Sequence, residues 1–261
     1  MARFTIATFN VNSVRSRMPI LQKWLSEHHV DALCLQETKV VDEAFPEADF
    51  RDMGYRCLYR GEKSYNGVAI LTKEPLDGFA VGFGDGEEPE GETRLLRGRI
   101  GDFCMVNTYI PQGKAIDHAD YVYKHRFLDR MKSLFDREYL RSEKIVWVGD
   151  MNVAPTDMDV TSPEKKREHP CFAPDIQEHF EDVKSWGFID LFRKYRPDPG
   201  EFSFFDYRVK NSLERNIGWR IDHVLVTPAL EKHGVDCWID REPRGWEKPS
   251  DHTPVLASFD L

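Results

Sequence analysis

An α+β fold of two packed β-sheets covered by helices is predicted by three features of this 261-residue chain. Short apolar runs of strand length outnumber helical stretches. Runs and helices do not alternate strictly, as they would around a doubly wound parallel sheet. The composition, 41% hydrophobic and 31% charged, suits a globular chain with a substantial core.

In chain order, Phe4 to Phe9 alternates and reads as a strand. Met18 to His28 has helical spacing, with Ile20, Leu21, Trp24 and Leu25 on one side. Asp31 to Gln36 is a short buried strand, and Gly67 to Thr72, Leu96 to Ile100 and Phe103 to Tyr109 are three more. Gly82 to Glu92 (GFGDGEEPEGE) reads as a solvated acidic loop. Asp117 to Leu140 reads as a long helix with an apolar face of Val122, Phe127, Leu128, Met131, Leu134 and Phe135. Lys144 to Val148 is a buried strand, followed by a helix near Ile176 to Trp186. Phe202 to Tyr207, Arg220 to Thr227, Val235 to Ile239 and Val255 to Phe259 complete the strands.

No fixed-period repeat and no Pro/Gly/Ser-rich linker divides the chain, so residues 1–261 are expected to form one domain. The N-terminus, Met1-Ala2-Arg3-Phe4, runs straight into a strand-like pattern and lacks a signal-peptide h-region. No apolar stretch approaches the roughly 20 residues of a membrane helix. The cysteines, Cys34, Cys57, Cys104, Cys171 and Cys237, are odd in number and form no C-x-x-C pair. Neither a disulfide scaffold nor a zinc site is expected, and a reducing cytoplasm is. The net charge of −9 speaks against nucleic acid as a partner. Carboxylates gathered for a divalent cation would account for part of that charge, and local Lys and Arg can still form a binding face.

The polar residues that matter sit at strand ends, where catalytic groups usually collect. Asn10 ends the first strand, Glu37 follows the second, and Tyr109 closes another. Gly149-Asp150-Met151-Asn152 follows the run KIVWV, Asp222-His223 interrupts RIDHVLV, and Ser250-Asp251-His252 precedes the last strand. If these ends converge, they build one oxygen-rich pocket suited to Mg²⁺, a hard cation that binds carboxylates, waters and substrate phosphate. No cysteine lies near these motifs, which speaks against a soft metal. Taken singly, a strand-end Asp is more often a turn former or cap. The argument rests on all of them occurring together.

Together and in order, Thr8-Phe9-Asn10-Val11-Asn12, Leu35-Gln36-Glu37-Thr38, Tyr65 to Ile70, Tyr109 to Gly113, Gly149 to Pro155, Phe204 to Arg208, Gly218 to His223 and Glu247 to His252 resemble the exonuclease III family of abasic-site endonucleases. The resemblance spans nearly the whole chain. It implies a four-layer α/β sandwich, two mixed β-sheets packed face to face with helices outside. It implies a nuclease of duplex DNA that incises at abasic sites and processes 3′ ends, using Mg²⁺ with Mn²⁺ as a substitute. Glu37 would hold the metal, assisted by Asn10 and Asp251, with Asp150, Asn152 and His252 in the wider set for one ion or two. Asp150 would orient or deprotonate the attacking water, and Asn152 would position the scissile phosphate. His252, oriented by Asp222, would bind a phosphate oxygen. Tyr109 would bind phosphate or help the leaving group. Such assignments suit phosphodiester hydrolysis, which needs an aligned water, neutralised oxygens and a stabilised leaving group.

The same resemblance places Phe204, Trp219 and Ile221 in the wall of a pocket for a flipped-out, baseless sugar. Phe204 departs from the Trp often found there, which should loosen the pocket slightly. Lys63, Tyr65, Asn66, Gln112 and Arg208 are candidate DNA contacts, joined by Ser64, Gly113 and Lys114. Backbone contacts of this kind read no sequence. The segment Pro163 to Pro174 carries His169-Pro170-Cys171 where many relatives have a glycine-containing run. His169 could narrow the pocket and shift activity from abasic-site cleavage toward 3′-end processing. The partner expected is duplex DNA with abasic sites or blocked 3′ ends; no membrane is expected, and nothing demands more than a monomer. Rival readings are a deoxyribonuclease I-like enzyme, an inositol-phosphate phosphatase or a sphingomyelinase of the same broad fold, and a non-catalytic DNA-binding relative. The wording FSFFDYR, GWRIDH and EKPSDH sets this chain apart from the first group.

Overall fold

The computed structural model describes residues 3–261; Met1 and Ala2, part of the N-terminus read above, lie outside them. Twelve strands are described: β1 Arg3–Asn10, β2 Ala32–Gln36, β3 Arg56–Arg60, β4 Val68–Thr72, β5 Gly78–Val81, β6 Leu95–Ile100, β7 Phe103–Tyr109, β8 Lys144–Asp150, β9 Ile189–Asp190, β10 Asp222–Val226, β11 Gly234–Ile239 and β12 Val255–Asp260. The α-helices are α1 Val14–Glu27, α2 Glu47–Asp52, α3 Ala119–Glu138, α4 Pro174–Lys184, α5 Leu191–Tyr195 and α6 Pro228–Glu231.

The strands form two six-stranded sheets, ordered β11-β12-β1-β2-β4-β3 and β5-β6-β7-β8-β10-β9. Both are mixed, with β1 parallel to β2 and β7 parallel to β8 among antiparallel neighbours. Central strands are apolar at nearly every position because both their faces are covered. Period-two alternation then sorts the residues between layers. Ile6, Cys34, Ile70, Met105, Val146, Val148 and Val224 meet between the sheets. Ala7, Leu33, Leu35 and Leu71 face the other way, onto Leu21 and Trp24 of α1. Val106, Ile145 and Trp147 face α3 and α4, through Phe127, Leu128, Met131, Phe135, Ile176 and Phe180. The result is the expected four-layer order of helix, sheet, sheet and helices. Each large apolar side chain buried this way stabilises by roughly 1.5–3 kcal/mol.

Several expectations need correction. Helix α1 begins at Val14 rather than Met18 and takes Pro19 into its second turn. Val122 is 69% exposed and not part of the α3 apolar face; the inward stripe runs instead through Tyr121, Lys124, Phe127, Leu128 and Met131. Phe202 to Tyr207 forms no strand; Phe204 makes only isolated bridges, to Trp219 and His252. The acidic loop is not wholly solvated: Phe83 is fully buried, and Asp85 binds the Arg130 guanidinium at 2.7 and 2.8 Å. Strands β3, β5 and β9 were not anticipated. They are edge or short elements, half-exposed and so without a continuous apolar run. All five cysteines are free.

Candidate active site

The topology explains why the chemistry-bearing strand ends meet. The parallel pairs β1/β2 and β7/β8 finish at one edge of the sandwich, and the antiparallel β10 and β12 start there. Asn10 is registered against Gln36, just before Glu37. Tyr109 is registered against Asp150, and Asp150 against Asp222. Gly149 is required for this approach. Its φ is +139°, and a Cβ there would run into the Thr108 carbonyl oxygen. Asn12, Glu37, Lys39 and Asn152 all take positive φ, between 44° and 53°. Left-handed backbone is costly for Glu and Lys, and its clustering marks a site whose geometry is enforced by surrounding structure.

Asn10 is the hub. Its Nδ2 donates to Glu37 Oε1 at 2.8 Å and to Asp150 Oδ2 at 2.9 Å. Glu37, Asp150 and His252 offer ligand atoms all within 4.8 Å of one another. His252 Nδ1 lies 2.8 Å from Asp222 Oδ2, which also accepts from Ser203 Oγ at 2.6 Å. His252 Nε2 points toward Asp150 Oδ2, 3.7 Å away. Burial works against charge on His252, but the carboxylates of Asp222 and Asp150 outweigh it and push the imidazole up to about 10. Burial pushes the Asp150 carboxyl up to about 7, against the pull of His252. Glu37 is the reverse case: burial opposes its charge, yet Lys39 and Asn10 hold it below the usual carboxylate range. Tyr109 is raised well above its ordinary value by burial and by Glu37 and Asp150, so its hydroxyl stays a donor.

Two residues beside these carboxylates were missed. Lys39 Nζ lies 2.6 Å from Glu37 Oε2 and donates to Asn12 Oδ1 at 2.6 Å. Asn12 Nδ2 in turn donates to Asp251 Oδ1 at 2.9 Å. Asp251 therefore stands at one remove from the Glu37–Asp150–His252 group, in a position supported by Asn12. The donor set, two carboxylates and the Asn10 amide with a lysine ammonium drawn to one of them, suits a hard cation. The expectation that no cysteine comes near is corrected: the chain folds Cys171 beneath the site, with Sγ 3.7 Å from Asn152 Oδ1.

Lys124 was also missed, although its place on the apolar stripe of α3 was a signal. It is fully buried, and its Nζ donates to the carbonyls of Gln112 at 3.2 Å, Asn152 at 2.6 Å and Pro170 at 2.7 Å. One ammonium thus ties together the loop after Tyr109, the turn after Asp150 and the loop bearing His169. A second buried network lies behind Asp222. Arg220 donates to Asp159 at 2.6 Å, Asp190 at 2.8 Å and His223 Nδ1 at 3.0 Å. His223 Nε2 then donates to the Val153 carbonyl at 2.8 Å, since Nδ1 must accept from the guanidinium. Burial and Arg220 lower this histidine to about 4, so it is neutral.

The expected sugar-pocket residues do assemble. Ala154, Val160, Phe172 and Ile221 form a small apolar cluster flanked by Phe204 and Trp219. The Phe204 ring lies 4.8 Å from that of His252. His169 packs on Trp219, with ring centres 4.6 Å apart. Burial, with Lys124 and Lys166, lowers His169 to about 4 and leaves it neutral. Tyr65, Asn66 and Gln112 line a groove of about 930 Å³ that reaches Tyr109. Tyr65 is 71% exposed. Lys63 lies in the same loop, outside the groove lining. Arg208 is exposed and pairs with Asp206 at 2.8 Å.

The chain matches the model of the "Endonuclease/Exonuclease/phosphatase family" over residues 7–252. It is 34% identical to exodeoxyribonuclease III of Haemophilus influenzae, over 97% of this chain and 98% of that one. Its structure is similar to that of an AP endonuclease from Archaeoglobus fulgidus, with a TM-score of 0.96, 45% identity, and 99% and 100% of the two chains covered. It is also similar to a 3′-5′ exonuclease from Neisseria meningitidis, with a TM-score of 0.94, 34% identity and the same coverage. Among the described residues, no helix is long and apolar enough to cross a membrane.

Proposed function

The chain belongs to the endonuclease/exonuclease/phosphatase family, and on that premise we propose that it is a DNA repair nuclease, a Mg²⁺-dependent phosphodiesterase that incises duplex DNA at abasic sites and trims 3′ ends. The observation that carries this reading is the meeting of Glu37, Asp150 and His252 within 4.8 Å, beside an apolar niche built from Phe172, Ile221, Trp219 and Phe204. The niche separates it from the other phosphoesterases, since a baseless sugar needs an apolar wall next to the reacting phosphate.

Glu37 and Asp150, with Asn10 and Asp251 in support, are the residues that would hold the ion. Mg²⁺ there supplies Lewis acidity and positive charge for the phosphate oxygens, and Mn²⁺ would substitute. His252 stays outside that shell: protonated between Asp222 and Asp150, it donates to a non-bridging oxygen. Asp150, its Oδ2 held by the Asn10 amide, orients the attacking water and accepts its proton. Asn152 spends one amide hydrogen on the Ile110 carbonyl at 3.0 Å and keeps the other for the scissile phosphate. Tyr109 remains protonated and donates to the phosphate or the leaving oxygen. Lys63, Tyr65, Asn66, Gln112 and Arg208 grip the DNA backbone without reading sequence. The chain would act as one domain and as a monomer, in the cytoplasm, consistent with its five free thiols.

His169 sets the balance between activities. Its neutral ring lies against Trp219 in the sugar niche, where it takes space that a flipped-out sugar would need. The test compares the chain and its His169→Gly variant on two duplexes, one with a central abasic site and one with a recessed 3′-phosphate. The variant should gain on the abasic duplex while 3′ processing stays level. Unchanged abasic-site cleavage would remove this role from His169.

A further inference from the structure

Away from the active site, α3 and α4 bring four titratable side chains together. His125 and Asp129 stand one turn apart on α3, as do Asp175 and His179 on α4, so each helix turns a histidine and a carboxylate to the same side. His125 Nδ1 lies 2.8 Å from His179 Nδ1. Both far nitrogens are backed by carboxylates. His179 Nε2 is 2.9 Å from Asp129 Oδ1, and His125 Nε2 is 3.4 Å from Asp175 Oδ2. Asp175 is itself fixed by the Tyr121 hydroxyl, which donates to it at 2.7 Å.

Asp129 accepts from His179 Nε2, so the His179 Nδ1 lone pair faces His125. His125 Nδ1 either donates to it or, with its hydrogen at Nε2 toward Asp175, presents a second lone pair. In the second tautomer each neutral ring presents its lone pair at Nδ1. The ring centres are 5.1 Å apart with planes 29° from parallel. With the nitrogens at 2.8 Å, the rings meet edge to edge, and in that tautomer the two lone pairs face one another. Facing lone pairs repel until a cation lies between them. Backing the far nitrogen with a carboxylate is how metal-binding histidines are oriented and made more basic.

We propose that His125 Nδ1 and His179 Nδ1 bind one divalent transition ion of the zinc, nickel or copper class. Water completes the shell, since Asp129 and Asp175 are held at the far nitrogens. With metal–nitrogen bonds of about 2.0–2.1 Å and a tetrahedral angle, two such imidazoles hold their nitrogens ~3.3 Å and their ring centres ~5.2 Å apart. The centres already stand at 5.1 Å. Entry of the ion therefore requires only that the rings tilt, opening the nitrogens by about half an ångström. Imidazole nitrogen favours these ions, whereas Mg²⁺ takes oxygen, so this site and the catalytic one select different metals. The sequence predicts no zinc site, an expectation argued from the cysteines, whereas these ligands are imidazoles. These histidines are 54 positions apart, and no local spacing reveals them. A bound ion would pin α4, which follows the His169 loop, to α3, which carries Lys124.

The experiment is equilibrium dialysis of the full chain against Zn²⁺ in excess Mg²⁺, with metal content counted for wild type, His125→Gln and His179→Gln. The expected result is one zinc per chain in the wild type beyond what either variant retains, with the thermal midpoint raised by zinc in the wild type alone. Copper bound to the wild type should show electron-spin coupling to two nitrogens, a readout that needs no variant. Equal zinc in all three proteins, or copper coupled to fewer than two nitrogens, overturns the proposal.

Discussion

Replacing Lys124 by Met keeps most of the buried stem and removes the ammonium. Three carbonyls, of Gln112, Asn152 and Pro170, then lose their donor at once. A hydrogen bond to a charged group contributes about 1.5–3 kcal/mol, and an unsatisfied buried carbonyl costs ~1–3 kcal/mol. Against this stands the cost of burying an ammonium, which the variant no longer bears. The net expectation is a loss of roughly 3 kcal/mol, or about 6–12 °C in thermal midpoint for a chain of this size. The kinetic effect should be larger than the stability effect. With the three loops untied, Asn152 and Gln112 lose their register with Asp150, and a displacement near 1 Å costs about 10²-fold in turnover. The assay is single-turnover cleavage of an abasic duplex beside thermal unfolding, well below the variant's midpoint. The expected pattern is a reduced single-turnover rate at saturating enzyme with the half-saturating concentration little changed, since the proposed DNA contacts at Lys63, Tyr65, Asn66 and Arg208 are untouched. A variant that unfolds about 6–12 °C earlier yet keeps the wild-type single-turnover rate would refute the reasoning, as would one with no change in stability.

The Arg220 network should govern acid stability. Burial opposes charge on Asp159 and Asp190, but Arg220 outweighs it and holds both carboxyls low. Their stabilising contribution is therefore present above the ordinary carboxylate range near 4 and is lost as pH falls through the lower folded values. Arg220→Met should invert the trend: destabilised at pH 7, it should recover relative to wild type below about pH 5, as Asp190, left without a guanidinium, protonates while Asp159 keeps Arg193. Unfolding curves from pH 3 to 8 would check this, and parallel profiles for the two proteins would contradict it. Asp222→Asn removes a main support of the His252 charge. The variant's kcat/KM should then decline with rising pH above neutrality, where the wild type holds its histidine charged to about pH 10. Superimposable alkaline limbs would argue against a protonated His252.

Central strands and long helices were legible in the sequence because each buries its residues in a regular period. β7 runs from Phe103 to Tyr109 as its apolar run does. Edge strands such as β5, with Phe79 68% exposed, carry no such pattern. Phe202 to Tyr207 misled because aromatic residues wanted for a pocket wall look like a strand. The residues that meet at the candidate site were legible because their motifs stand at strand ends and resemble, together and in order, those of the exonuclease III family. What was not legible is the support that the tertiary fold assembles. Lys124 reads as one charge on a helix until three loops fold over it, and Cys171 reaches Asn152 only through the turn of its loop. Lys39 and Asn12 lie inside or beside recognised motifs, but their roles depend on a left-handed backbone that composition does not reveal.

The central claim is that the cluster at Glu37, Asp150 and His252 hydrolyses the DNA backbone with a metal ion. Its most direct test is incision of a duplex bearing one central abasic-site analogue, in Mg²⁺ and in EDTA, for the wild type and for Asp150→Asn. The account predicts a single incision at the abasic site in Mg²⁺, abolished by EDTA and lowered by at least ~10²-fold in the variant. Incision that persists in EDTA, or in Asp150→Asn at the wild-type rate, would contradict it.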